Sequence, residues 1–86
     1  MVYGITEEGK SCSDIGKTDI LDEDECKSAM PQIQYLVPNA RYNRKVSYSF
    51  RPKGCFFDGG YSFYFNTHTT GSGGVSGSRS VCYNSK

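Results

Sequence analysis

Four cysteines and a single histidine are the residues of this chain with the strongest intrinsic chemistry, and their spacing decides what that chemistry is. Cys12, Cys26, Cys55 and Cys82 are even in number, spread along the whole chain, and nowhere arranged as Cys-x-x-Cys. A zinc site normally takes two ligands from neighbouring positions, and His68 is the only histidine, so the pattern points to two disulfides and not to a metal. Disulfides imply an oxidising compartment, the cell exterior or another extracytoplasmic lumen. Three pairings are open to four cysteines. Cys12 with Cys82 and Cys26 with Cys55 is the preferred one, because the first ties the ends of the chain together and the second joins a helix to a hairpin. In the chain-entropy model, loops of those lengths each remove about 3 to 4.5 kcal/mol of unfolded-state freedom.

Catalysis needs a nucleophile beside a base, or an acid–base group held at a tuned pKa. With the cysteines paired no thiolate remains, and His68 stands between threonines with no carboxylate near it in sequence, so it reads as an exposed loop residue and no enzyme is expected. The run Asp22-Glu23-Asp24-Glu25 has the oxygen ligands that calcium takes, but it lacks the alternating ligands and glycine of an EF-hand loop. Acids there suit the first turn of a helix, whose dipole they complement. No metal and no cofactor are expected.

The elements that must position these groups centre on Arg51–Asn66, two aromatic runs joined by Asp58-Gly59-Gly60. The glycines permit the positive φ of a tight turn, so the stretch predicts a β-hairpin. Tyr61, Phe63 and Phe65 alternate with Ser62 and Tyr64, which predicts one aromatic face turned inward. Upstream, Val2–Thr6 predicts a short strand closed by a turn at Glu8-Gly9-Lys10, and Cys12–Asp19 a loop. Asp22 is placed to cap a helix, with Glu25 completing a capping box and Leu21 and Cys26 forming a hydrophobic staple. Cys26, Ala29, Met30 and Ile33 follow the spacing of one buried stripe, so a helix is expected over 22–34, irregular near Pro31 and ended before Pro38. Val46, Tyr48 and Phe50 alternate with Lys45, Ser47 and Ser49, predicting a half-buried strand over 41–50. Thr67–Ser80 is rich in Gly, Ser and Thr and reads as a surface loop before a last strand at Arg79–Tyr83.

Eighty-six residues make one domain, and a domain so short needs reinforcement against chain entropy. The formal net charge of +1 argues against a dedicated nucleic-acid binder. The charges are nevertheless sorted: eight of nine acids lie between Glu7 and Glu25, whereas Arg41, Arg44, Lys45, Arg51 and Lys53 form a basic run free of acids. That run has the charge to bind acidic polymers or phosphates, or simply to solvate a strand face. No apolar run approaches the 18 or so residues of a membrane span. No signal peptide is visible either, so the chain reads as a mature domain preceded by a start methionine. No Asn-x-Ser/Thr acceptor occurs, and N-glycosylation is not expected.

Seven tyrosines and five phenylalanines are many for so short a chain; most are expected in the core, since a small domain buries aromatic area to compensate for its size, and those facing outward are suited to stacking on sugar rings or a protein surface. Tyr64, Tyr42 and Tyr35 are the aromatic candidates, with His68 and Arg44 as polar ones and the Gly-rich loop after His68 as a possible wall of the site.

The order Cys12, Ile20, Asp24-Glu25-Cys26, Ala29, Pro52-Lys53-Gly54-Cys55-Phe56, Tyr64-Phe65-Asn66-Thr67-His68 and Val81-Cys82 resembles a small extracellular module of secreted microalgal proteins, dinoflagellate and haptophyte ones among them. The similarity covers most of the chain, and the Pro-Lys-Gly-Cys and Tyr-Phe-Asn-Thr-His blocks are its more specific parts. It implies an extracytoplasmic, disulfide-containing domain and brings no catalytic residues. Pro31 departs from the alanine-rich helix of that pattern.

The sequence therefore predicts an α+β fold, one helix packed on a small antiparallel sheet and stabilised by disulfides. The expected function is a non-catalytic recognition module for a glycan or a protein surface; the alternative is a structural subunit of an extracytoplasmic assembly, such as a cell covering or the lumenal face of a photosynthetic complex.

Overall fold

The computed structural model describes residues 2–58, 60–68 and 77–84. Six strands and two helices follow one another as β1 (Tyr3–Ile5), β2 (Thr18–Asp19), α1 (Glu23–Ser28), α2 (Met30–Leu36), β3 (Arg41–Val46), β4 (Gly54–Asp58), β5 (Ser62–Asn66) and β6 (Ser78–Tyr83), with a 3₁₀ turn at Ser13–Ile15. The strands form one sheet in the order β1-β6-β4-β5-β3, and β2 also pairs with β6. The fold class is α+β, as the alternation of apolar residues requires.

The hairpin forms as expected, with Phe57 opposite Phe63 and Cys55 opposite Phe65. It begins one residue later than the alternation suggests. Tyr61 lies in the turn and is 58% exposed, leaving Phe63 and Phe65 to face the core. β6 starts at Ser78. Residues 69–76, most of the Gly-rich loop, lie outside the described residues.

Strand alternation assigns every side chain to one of two faces. Cys55 and Phe57 of β4, Phe63 and Phe65 of β5 and Val81 of β6 share a core with Ile20, Cys26, Ala29, Ile33 and Ala40, so this is the helix face. Phe56, Tyr64, Ser80 and Cys82 alternate with those residues and point the other way. The two disulfides, Cys26–Cys55 and Cys12–Cys82, therefore clamp opposite faces of the sheet.

The helical segment departs from one continuous element. Asp22 caps it, accepting from the Glu25 amide at 3.0 Å. The chain then breaks at Ala29, which ends α1 and begins α2. Pro31 falls in the first turn of α2, where an amide has no intrahelical partner to lose, and the second helix runs on to Leu36. Leu21 forms no buried staple: it is 64% exposed, while Cys26 turns into the core to reach Cys55.

β3 corrects two further expectations. It pairs with β5 in parallel, so the sheet is mixed and not wholly antiparallel. It also stops at Val46: Tyr48 and Phe50 lie in the connection to β4, and Phe50 is 58% exposed. The reason is steric as well as topological. Parallel to β5, β3 ends at Val46 beside Asn66, the residue that Gly54 pairs on the other side, so the connection crosses the end of β5 to start β4. Gly54 has φ +81°, and a Cβ there would run into the Ile20 carbonyl, so only glycine fits where the connection meets the segment entering α1.

Candidate functional site

Among the described residues, the face opposite the helices is covered by no helix and is roofed by two loops. One carries Cys12 onto Cys82 of β6. The other is the β3–β4 connection, and Asn66 pins it. The Asn66 side chain is 2% exposed; its Oδ1 accepts from the Tyr48 amide at 2.9 Å and the His68 amide at 3.1 Å, and its Nδ2 donates to the carbonyls of Tyr48 (2.7 Å), Pro52 (2.9 Å) and Arg51 (3.3 Å). A buried amide with every group satisfied fixes backbone that no ladder holds. Thr67 reinforces it by donating both its amide and its hydroxyl to the Val46 carbonyl. Arg51, three residues before β4 begins, pairs with Asp58 at the far end of that strand (Nε to Oδ1, 3.0 Å), so the connection folds back along β4.

This loop face holds most of the aromatic surface that the core does not use. Tyr64 stacks on the fully buried Phe56 at 5.5 Å between centroids, and its hydroxyl accepts a 3.5 Å contact from the Asn43 amide. Phe50 stacks on Tyr48 at 5.1 Å and carries the Arg51 guanidinium 5.1 Å from its ring centre. Along β3, Tyr42 and Lys45 oppose Phe63 and Phe65, so three steps on β3 span two on β5. Arg41, opposite Ser62, and Asn43, which reaches Tyr64, face the loop side, and Arg44 follows within the bulge.

Of the five residues expected to bind, Tyr64 lies on this face, Arg44 is exposed on β3 next to the Asn43 that reaches Tyr64, and the others are dispersed. Tyr42 points to the helix face, half-buried on Phe63 (5.6 Å, edge-on), where its hydroxyl donates to Glu23 Oε2 at 2.9 Å and Lys27 lies 5.6 Å over its ring. Burial, followed by the Glu23 carboxylate, pushes its pKa well above that of a free phenol. Tyr42 thus lies on the face opposite Tyr64. Tyr35 is 80% exposed in the last turn of α2, on the helix side. His68 follows β5 at the sheet's end, beside a groove of about 250 Å³ walled by Leu21, Lys53, Phe65 and Thr67.

A second groove of about 360 Å³ lies beside the Cys12–Cys82 bridge, lined by Ser11, Ser13, Asp14, Asp19, Lys53 and Ser80. Burial pushes the Asp19 carboxyl up while Lys53, 3.9 Å away, pulls it down. The Ser11 amide and hydroxyl hold the Asp14 carboxyl low. No three His, Cys, Asp or Glu side chains converge as metal ligands among the described residues.

Sequence reasoning missed Asn66, Asn43, Arg41 and Phe50. Phe50 was hidden by an alternation that continues past the point where β3 loses its partner. Asn66 had a signal, a lone amide closing an aromatic strand, but the three carbonyls it serves come from residues 14 to 18 positions away. No known protein family, no curated protein and no solved structure matches the chain.

Proposed function

We propose that this protein is a non-catalytic recognition module of an oxidising, extracytoplasmic compartment, binding a glycan or a protein surface through the loop face. The observation that carries the reading is the rigid mounting of partly exposed rings on that face: Tyr64 on Phe56, and Phe50 on Tyr48 in a loop that Asn66 latches. Rings already held in place lose little rotamer freedom on contact, which is how small binding surfaces gain affinity. The two disulfides fit the compartment.

The test is binding of the oxidised domain to a broad glycan array, with Phe50→Ala and Tyr64→Ala in parallel and circular dichroism to verify folding. Hits that disappear in either variant while the fold persists support the module. A blank array would turn attention to the structural alternative, which Tyr35 and the 45% exposed Leu36 of α2 favour. Sedimentation above the monomer mass, abolished by Tyr35→Ser, is the result that alternative requires.

A further inference from the structure

The fold sorts the basic run more sharply than the sequence does. Lys45 lies 3.8 Å from Glu23, Arg51 3.0 Å from Asp58 and Lys53 3.9 Å from Asp19, so three of the five cations have an acid. Arg41 and Arg44 have none among the described residues. Both are exposed on β3, Arg41 opposite Ser62 on the loop side and Arg44 next in sequence to the Asn43 that reaches Tyr64. Asp58, the nearest acid by register, is already held by Arg51.

We propose that Arg41 and Arg44, with Asn43 and Tyr64, form a subsite for an acidic polysaccharide, one bearing sulfate or uronate groups. The inference rests on the recognition reading above and names its ligand class. A guanidinium presents parallel N–H donors that match a carboxylate or sulfate in a bidentate fork, and two of them along one strand suit a polymer that repeats its charge. Tyr64 supplies a ring for the apolar face of a sugar, and Asn43 supplies an amide for its hydroxyls. An acidic peptide adding as a strand to β3 fits less well, because the bulge interrupts the row of free backbone groups such pairing needs.

The experiment is titration of the oxidised domain with dextran sulfate, polygalacturonate, neutral dextran, polyglutamate and single-stranded DNA over a range of salt. The expected result is binding to the two acidic polysaccharides, weakening linearly in the logarithm of salt concentration as counterions are released, with no binding to neutral dextran. Arg41→Gln/Arg44→Gln should lower affinity about tenfold and the salt slope by about two, one per guanidinium. Lys10→Gln/Lys17→Gln, remote in sequence and equal in charge lost, should leave both unchanged. Equal losses in the two double variants would overturn the subsite, as would polyglutamate or DNA binding as tightly as the polysaccharides. Binding of neutral glycans that is lost in Phe50→Ala but indifferent to Arg41 and Arg44 would overturn this inference and leave the recognition module standing, whereas no binding to any glycan overturns this inference and the glycan half of that reading, leaving a protein surface or the structural alternative.

Discussion

The two faces of the sheet are held by different physics. On the helix face, Phe57, Phe63 and Val81 meet Cys26, Ala29 and Ile33 in an apolar core whose stability is non-directional burial. On the loop face a buried ring, Phe56, is enclosed by loop segments fixed by directional bonds: the Asn66 side chain to the β3–β4 connection, and the Ser80 amide donating to Thr6 Oγ1 at 2.9 Å. A helix satisfies its own backbone and so needs only an apolar stripe to dock. A loop must find partners for each amide and carbonyl it buries, and the side chains that serve them become the specific part of the structure. That difference also explains why candidate binding groups gather on one face: loops mounted on a rigid sheet can present rings and guanidiniums without disturbing the core.

The comparison can be broken most forcefully through the disulfides. Cys12→Ala/Cys82→Ala opens the link across 70 positions and should cost about 4.5 kcal/mol, and Cys26→Ala/Cys55→Ala, across 29, about 3.5 kcal/mol, by chain entropy alone. Urea unfolding of both variants checks the order. If burial on the helix face dominates, the helix-face pair will prove the costlier, and chain entropy is not the ruling effect.

Next come the two adjacent phenylalanines. Phe57→Ala removes a ring from the main core and should cost about 4 kcal/mol, whereas Phe56→Ala should cost about 3 kcal/mol, at the low end for such truncations. Equal costs by denaturant titration would mean that the loop face packs as tightly as the helix face.

Asn66→Ala orphans buried groups of the connection and should cost about 2 to 3 kcal/mol. Its distinguishing sign is local: hydrogen exchange at the Tyr48 amide should rise beyond what the global loss explains, while Ile33 and Phe57 follow global unfolding. Uniform acceleration would show that Asn66 is not a latch for one loop.

The smallest effect concerns pH. Tyr42 has a folded pKa raised above its unfolded value of about 10, first by burial and then by Glu23, so the protonated phenol stabilises the folded state. That contribution is complete below about pH 10 and is lost as pH rises from there through the folded pKa. Tyr42→Phe should therefore lose about 1 kcal/mol at neutral pH and show a shallower alkaline decline in stability than the parent. A parallel decline in both would assign the alkaline sensitivity elsewhere, Tyr3 beside Glu25 being the next phenol raised by burial.

Much of the fold was legible because its signals are local. The Asp22 cap depends on a side chain meeting an amide three residues on, and the hairpin depends on glycines between alternating aromatics; of the three cysteine pairings left open, the preferred one is the one formed. The candidate site was half legible. Tyr64 was recognisable as outward-facing by alternation, and Arg44 as part of a basic run, but Tyr42 carries the same residue type with the opposite facing, and only the register against Phe63 separates them.

By itself the sequence determined what short-range sterics and periodicity control: the α+β class, the capped helical start, the aromatic hairpin, the inward Phe63 and Phe65 of β5, and a charge order that leaves Arg41–Lys53 without acids. Tertiary structure alone decided the parallel docking of β3 on β5, the exposure of Phe50 and the pairing that leaves Arg41 and Arg44 without an acid among the described residues. Each of these turns on which strand lies beside which. That choice is made by contacts between residues 20 or more positions apart, where no local preference distinguishes a neighbour from a stranger.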